Sequence, residues 1–186
     1  MTLHEVRMTL MRIRDIFDLS VGAYALLTEE PARSELSQYT IRYNEVGEFQ
    51  ATKSEPRPVG GASSYQISFR DTDYRVAAKA LVERTQRQAI IESLALVRDF
   101  SKGTAIWDKL NSEPWFNFAL LYRNAVAHNG RWLLVEQKDL NRLPVTWCSF
   151  TIDRSLNEKN IDGCINLWEA RQLLARMETY LIDQHR

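Results

Sequence analysis

The segment from Trp115 to His128 is apolar on two opposite sides, and a helix of that kind has two surfaces to bury. Advancing about 100° per residue, Trp115, Phe118, Ala119, Tyr122 and Val126 gather in one arc, the natural core face. Arg123, Asn124, Ala127 and His128 fall on the opposite arc, which Phe116, Leu120 and Leu121 share one or two turns earlier. One face serves a bundle. The second calls for another helix of the same chain or for an identical subunit across a two-fold axis, closing on Phe116 and Leu120. Pro114 suits the first turn of this helix, and Asn129-Gly130 suit its end, where the chain enters left-handed geometry.

The other helical signals surround this one. Leu3, Val6, Leu10, Ile13, Phe17, Tyr24 and Leu27 recur by threes and fours, with only Ser20 skipped, which predicts a long amphipathic helix ended by Glu29-Glu30-Pro31. Helical composition returns from Asp73 to about Phe100. There the six polar residues Glu83 to Gln88 interrupt the apolar stripe, which predicts a break or a projecting stretch. The sharper alternative is a polar site in which Arg84 and Gln88 face Arg123 and His128. A short helix is expected around Ile106 to Leu110, and a closing helix carries Ile165, Trp168, Leu173, Leu174, Met177 and Leu181.

Two stretches read as β structure. Tyr39, Ile41 and Tyr43 alternate with polar residues, as do Tyr65, Ile67 and Phe69, on either side of a Pro/Gly/Ser-rich loop from Glu55 to Ser64. Arg131 to Glu136 and Val145 to Ile152 are expected to pair as a hairpin. The reading is therefore mainly α: one domain over residues 1–186, a four-helix bundle with short β-hairpin insertions at about 29–71 and 130–156.

Composition narrows the function classes. The 24 basic and 24 acidic residues cancel, so the chain lacks the global positive field of general duplex or membrane-surface binders. Any nucleic-acid contact must be local. Cys148 and Cys164 have no C-x-x-C spacing and read as free thiols of a reducing compartment, and no apolar run is long enough to span a bilayer, so the expected location is cytoplasmic. The three histidines, His4, His128 and His185, have no i,i+4 pairing, which argues against zinc; no phosphate-binding glycine motif is present, so no metal and no cofactor is expected.

Tyr122-Arg123-Asn124-Ala125-Val126-Ala127-His128-Asn129-Gly130 resembles the signature of the HEPN family, in which an arginine and a polar residue precede a histidine near the end of the third bundle helix. The resemblance implies a HEPN-like four-helix bundle and a homodimer. It also implies RNA or a nucleotide as ligand and, in many members, metal-independent RNA cleavage within toxin–antitoxin or phage-defence systems, with an antitoxin protein as partner. Other members bind without catalysis. Gly130 stands where one toxin branch has a modifiable tyrosine, so that antitoxin mechanism is not implied.

The residue types suit the chemistry. Histidine, with an ordinary pKa of about 6.5, transfers protons near neutral pH. Arginine's planar fork binds two phosphate oxygens at once and stays charged. The expected roles are proton transfer for His128, phosphate binding for Arg123 and orientation for Asn124, with Tyr122 packed in the core. Arg84 and Gln88 are the candidate additional substrate contacts. The plain alternative is that a basic residue and an Asn-Gly pair simply suit a helix C-terminus.

Overall fold

A computed structural model describes residues 1–44, 49–53, 64–68 and 74–184. Among them the chain is mainly helical. In order come α1 (Leu3–Thr28), α2 (Glu30–Leu36), β1 (Thr40–Asn44), β2 (Phe49–Thr52), β3 (Ser64–Ser68) and α3 (Tyr74–Ser101). They are followed by α4 (Trp107–Ser112), α5 (Pro114–Ala127), α6 (Gln137–Leu140), β4 (Val145–Trp147), β5 (Phe150–Ile152), a 3-10 turn (Arg154–Leu156) and α7 (Leu167–Gln184). The chain forms two compact units, one of Met1–Leu19 with Glu83–Arg186 and one of Ser20–Val82, so both boundaries fall inside long helices.

The first unit takes its core from α1, α3, α5 and α7. On α1 the buried residues Val6, Leu10, Ile13 and Phe17 keep the predicted spacing, and the skipped position, Ser20, is buried as well. Arg14 Nη1 meets Glu178 Oε2 at 2.5 Å and Arg171 Nε meets Asp18 Oδ1 at 2.8 Å, a crossed pairing that sets α1 antiparallel to α7. The Trp115 and Tyr180 rings, 5.4 Å apart, join the start of α5 to the far end of α7. Each large apolar side chain buried in this way contributes roughly 1.5–3 kcal/mol.

The polar stretch Glu83 to Gln88 does not break the helix; α3 is continuous from Tyr74 to Ser101. Its buried line runs through Ala78, Val82, Gln86, Ala89, Ile90, Ser93, Leu94 and Val97, so Gln86 continues the core stripe that the polar run was expected to interrupt. The amide is tolerated because Gln86 Nε2 donates to the Ile165 carbonyl at 3.2 Å.

Asn166 and Glu169 cap α7 reciprocally: Glu169 N donates to Asn166 Oδ1 at 2.9 Å and Asn166 N donates to Glu169 Oε2 at 3.0 Å. The β4–β5 hairpin is tied to the same turn, since Trp147 Nε1 donates to the Glu169 carbonyl and Ser149 Oγ to the Glu169 carboxylate. This hairpin corrects the expected pairing. Val145 to Ile152 folds back on itself around Cys148-Ser149, with Val145 opposite Ile152 and Trp147 opposite Phe150. Arg131 to Glu136 is instead an extended run whose first part bonds to residues 158–161: Trp132 N to the Lys159 carbonyl at 3.0 Å and Ile161 N to the Gly130 carbonyl at 2.9 Å.

In the second unit a three-stranded antiparallel sheet has the order β2-β1-β3. The expected ribbon is present as β1 and β3, with Ile41 opposite Ile67 and Tyr43 opposite Tyr65. β2 adds a strand on the other side of β1, and α2 follows α1 directly, with Pro31 in its first turn. Residues 54–63, most of the expected loop, lie outside the described residues, as does Phe69. Replacing Gln86 with alanine strips the Ile165 carbonyl of its buried donor and is expected to cost about 1–3 kcal/mol. Arg84→Ala, on an exposed neighbour, is expected to change stability by less than about 0.5 kcal/mol; urea unfolding of the two variants measures the contrast.

Candidate functional site

Seven residues of α5 are buried: Trp115, Phe116, Phe118, Ala119, Leu121, Tyr122 and Ala125. They span well over half of the helix circumference. Phe116, expected at a subunit interface, has no exposed surface in its own chain and lies edge-on to Trp107 of α4 at 6.3 Å and to Trp115 at 5.8 Å. At Phe116 the second apolar stripe is therefore covered by α4. Leu120, the other expected interface residue, is half-buried, and so is Val126, whose expected core place goes to Ala125.

Toward its C-terminus the helix opens to solvent. His128 is the C-cap, its N–H bonding the Asn124 and Ala125 carbonyls; Asn129 and Gly130 follow with φ of 57° and 75°, and Gly130 N donates to the Ala125 carbonyl at 3.0 Å. This is the left-handed termination that Asn-Gly permits, giving the Ala125 carbonyl a second donor besides the His128 N–H. The Arg123 and His128 side chains are exposed on this end, while Tyr122 and Ala125 between and before them are buried.

The Arg123 guanidinium donates through Nη1 to Asn124 Oδ1 at 3.2 Å, and no ion pair neutralises it among the described residues. Asn124, half-buried, donates through Nδ2 to Asp139 Oδ1 at 3.4 Å. Asp139 on α6 is buried. Glu136, just before α6, pairs with Lys138 at 2.5 Å, which holds its carboxyl below the ordinary range, and the positive charge of His128 adds to that effect. Two carboxylates thus stand beside the motif of Arg123, Asn124 and His128.

Arg84 and Gln88 are exposed, and among the described residues no hydrogen bond or ion pair joins either to Arg123 or His128; Gln88 bonds Glu92 instead. The intervening residues make the reach: Gln86 to Ile165, and Arg87 to Asp162 Oδ1 at 3.1 Å. Next to them burial holds the Tyr122 phenol well above its ordinary range and pushes the Cys164 thiol up to about 12. Tyr122 is core, as expected. Both cysteines are free, Cys148 exposed and Cys164 buried. His4 is exposed, and His185 lies outside the described residues.

The chain matches no protein-family model, no curated protein and no solved structure. The site is therefore read from its own residues. Among the described residues no group of three or more His, Cys, Asp or Glu side chains would hold a metal ion, and no described helix is long and apolar enough to cross a membrane. Asp139 and Glu136 escaped the sequence reading because Asp139 meets Asn124 across 15 positions, through a non-helical excursion with no spacing signal. The only hint was the charged run Glu136 to Asp139 inside an otherwise apolar stretch.

Phe116→Ala is expected to destabilise the chain by about 3–5 kcal/mol, as truncation of a core aromatic does. The loss relative to wild type should be the same at every protein concentration, since the lost contacts lie within one chain. Cys164 yields a pH test. Its folded pKa of about 12 lies above the ordinary value of 9.0, so its contribution is fully present below about pH 9 and is lost as pH rises toward 12. Urea midpoints should therefore fall between about pH 8 and about pH 10.5, and fall less in Cys164→Ala. At neutral pH one thiol, Cys148, should react with a disulfide reagent, and the second only after unfolding.

Proposed function

We propose that the chain is a metal-independent endoribonuclease of the HEPN type, working in the cytoplasm on RNA through Arg123 and His128. The observation that carries this reading is the exposure of the Arg123 and His128 side chains at one helix end, with Arg123 free of any ion pair among the described residues. In the reaction the ribose 2′-oxygen attacks phosphorus, the bond to the 5′-oxygen breaks, and 2′,3′-cyclic phosphate and 5′-hydroxyl ends result. His128 transfers one of the two protons involved, and solvent water carries the other. Arg123 stabilises the phosphate as it gains negative charge. A two-fold dimer, bringing two such ends together, would have to dock on Leu120 and the motif's rim, without Phe116. A toxin or defence role, with an antitoxin to restrain it, belongs to the same proposal.

A second reading, a non-catalytic module that binds RNA, a nucleotide or a protein partner, draws support from the carboxylates. Asp139 occupies the amide that would otherwise be free to hold the imidazole or ribose, and Glu136 weakens the local positive field. Turnover separates the two. Purified protein incubated with mixed RNA and a chelator is expected to produce new 2′,3′-cyclic phosphate ends. His128→Ala should slow this roughly a hundredfold or more, with stability changed by less than about 1 kcal/mol because the side chain is exposed. Arg123→Ala should also weaken binding, and Arg123→Lys should restore part of it, keeping the charge without the fork. A wild-type protein that binds RNA but leaves it intact selects the binding module.

A further inference from the structure

We propose that Asp139 is a positioning residue that acts through the Asn124 amide to hold the Arg123 guanidinium ready for a phosphate group; its functional consequence rests on the RNA reading above, whereas the placement itself does not. The Asn124 amide lies between a donor and an acceptor. Its oxygen accepts from Arg123 Nη1 at 3.2 Å and its nitrogen donates to Asp139 Oδ1 at 3.4 Å. Flipping the amide would set NH2 against the guanidinium and oxygen against the carboxylate, so both neighbours enforce the same orientation. Remove Asp139 and only Arg123 does so.

Burial gives the carboxylate its authority. Asp139 is only 6% exposed, and a buried carboxylate must find donors. Among the described residues its side-chain donor is Asn124 Nδ2. The exposed Arg123 is thereby tied by one nitrogen to a fixed point, which limits the rotamers of an otherwise free long side chain. With Nη1 engaged, the Nε/Nη2 edge stays available, and that edge can take two oxygens of one phosphate side by side. The negative charge that would repel RNA is held one residue behind the cation it serves.

The placement is tested on the ligand-free protein by ¹⁵N relaxation of the arginine Nε–H groups. Arg123 should be more ordered than the exposed Arg84; equal mobility overturns the proposal, and this comparison requires no variant to fold. In Asp139→Ala the order at Arg123 should be lost, and in Asp139→Asn, which keeps an acceptor oxygen, it should be retained. The functional arm uses fluorescence anisotropy with a short single-stranded RNA carrying 2′-O-methyl groups throughout, which blocks cleavage. Asp139→Ala should bind about tenfold more weakly, Asp139→Asn should recover most of that loss, and Arg123→Ala/Asp139→Ala should bind no more weakly than Arg123→Ala. A merely structural Asp139 gives additive losses with Arg123→Ala and no rescue by asparagine, and either result contradicts the proposal. If the wild-type protein binds no RNA while the relaxation pattern holds, the RNA reading fails and the positioning stands.

Discussion

Because α5 is apolar around most of its circumference, it can be stable only where neighbours cover it on nearly every side. The chain supplies those neighbours itself. α4 folds back over Phe116, Tyr180 of α7 meets Trp115, and β4 packs along the helix. What remains uncovered is the last turn, where Arg123 and His128 emerge next to a left-handed cap. Core and candidate site are thus consecutive parts of one helix, and the packing of the first holds the second in place.

Three polar side chains inside this framework are held there by partners. Gln86 continues the buried line of α3 by donating to Ile165, Glu169 gathers the cap of α7 and the β4–β5 turn, and Asp139 accepts from Asn124. The first two tie a non-helical segment to a helix and the third ties α6 to α5, where an apolar side chain would bury as well but would specify no direction. Removing one member leaves the other buried and unsatisfied, so such pairs are sensitive points in the fold.

Local chemistry made the helices legible from the sequence. Pro114 and Asn129-Gly130 marked the ends of α5, and the spacing of Val6, Leu10, Ile13 and Phe17 marked α1, because these signals act within one or two turns. Features set by distant partners were not legible. Gln86 looked like a break because the Ile165 carbonyl that satisfies it lies 79 positions away. The hairpin was assigned the wrong partner because Cys148 takes a φ of 48° without the glycine or asparagine that usually announces such a turn. Glu29-Glu30-Pro31 ends α1 as expected, but Pro31 also opens α2, a second role at a position that needs no amide donor. In the site, Arg123, Asn124 and His128 were legible as a motif, whereas Asp139 and Glu136 depended on the course of the chain after Gly130, and Phe116 changed role because α4 reached it first.

The uncovered end of α5, with the α6 residues behind it, is the surface we propose for RNA. Backbone amide chemical-shift mapping of the intact protein, titrated with a short 2′-O-methyl RNA without divalent metal, tests it directly. The largest shifts are expected to cluster at Arg123 to Arg131 and Glu136 to Asp139, with the sheet of β1, β2 and β3 unaffected. Shifts centred on that sheet, or no shifts at the end of α5 while RNA binds, would contradict it.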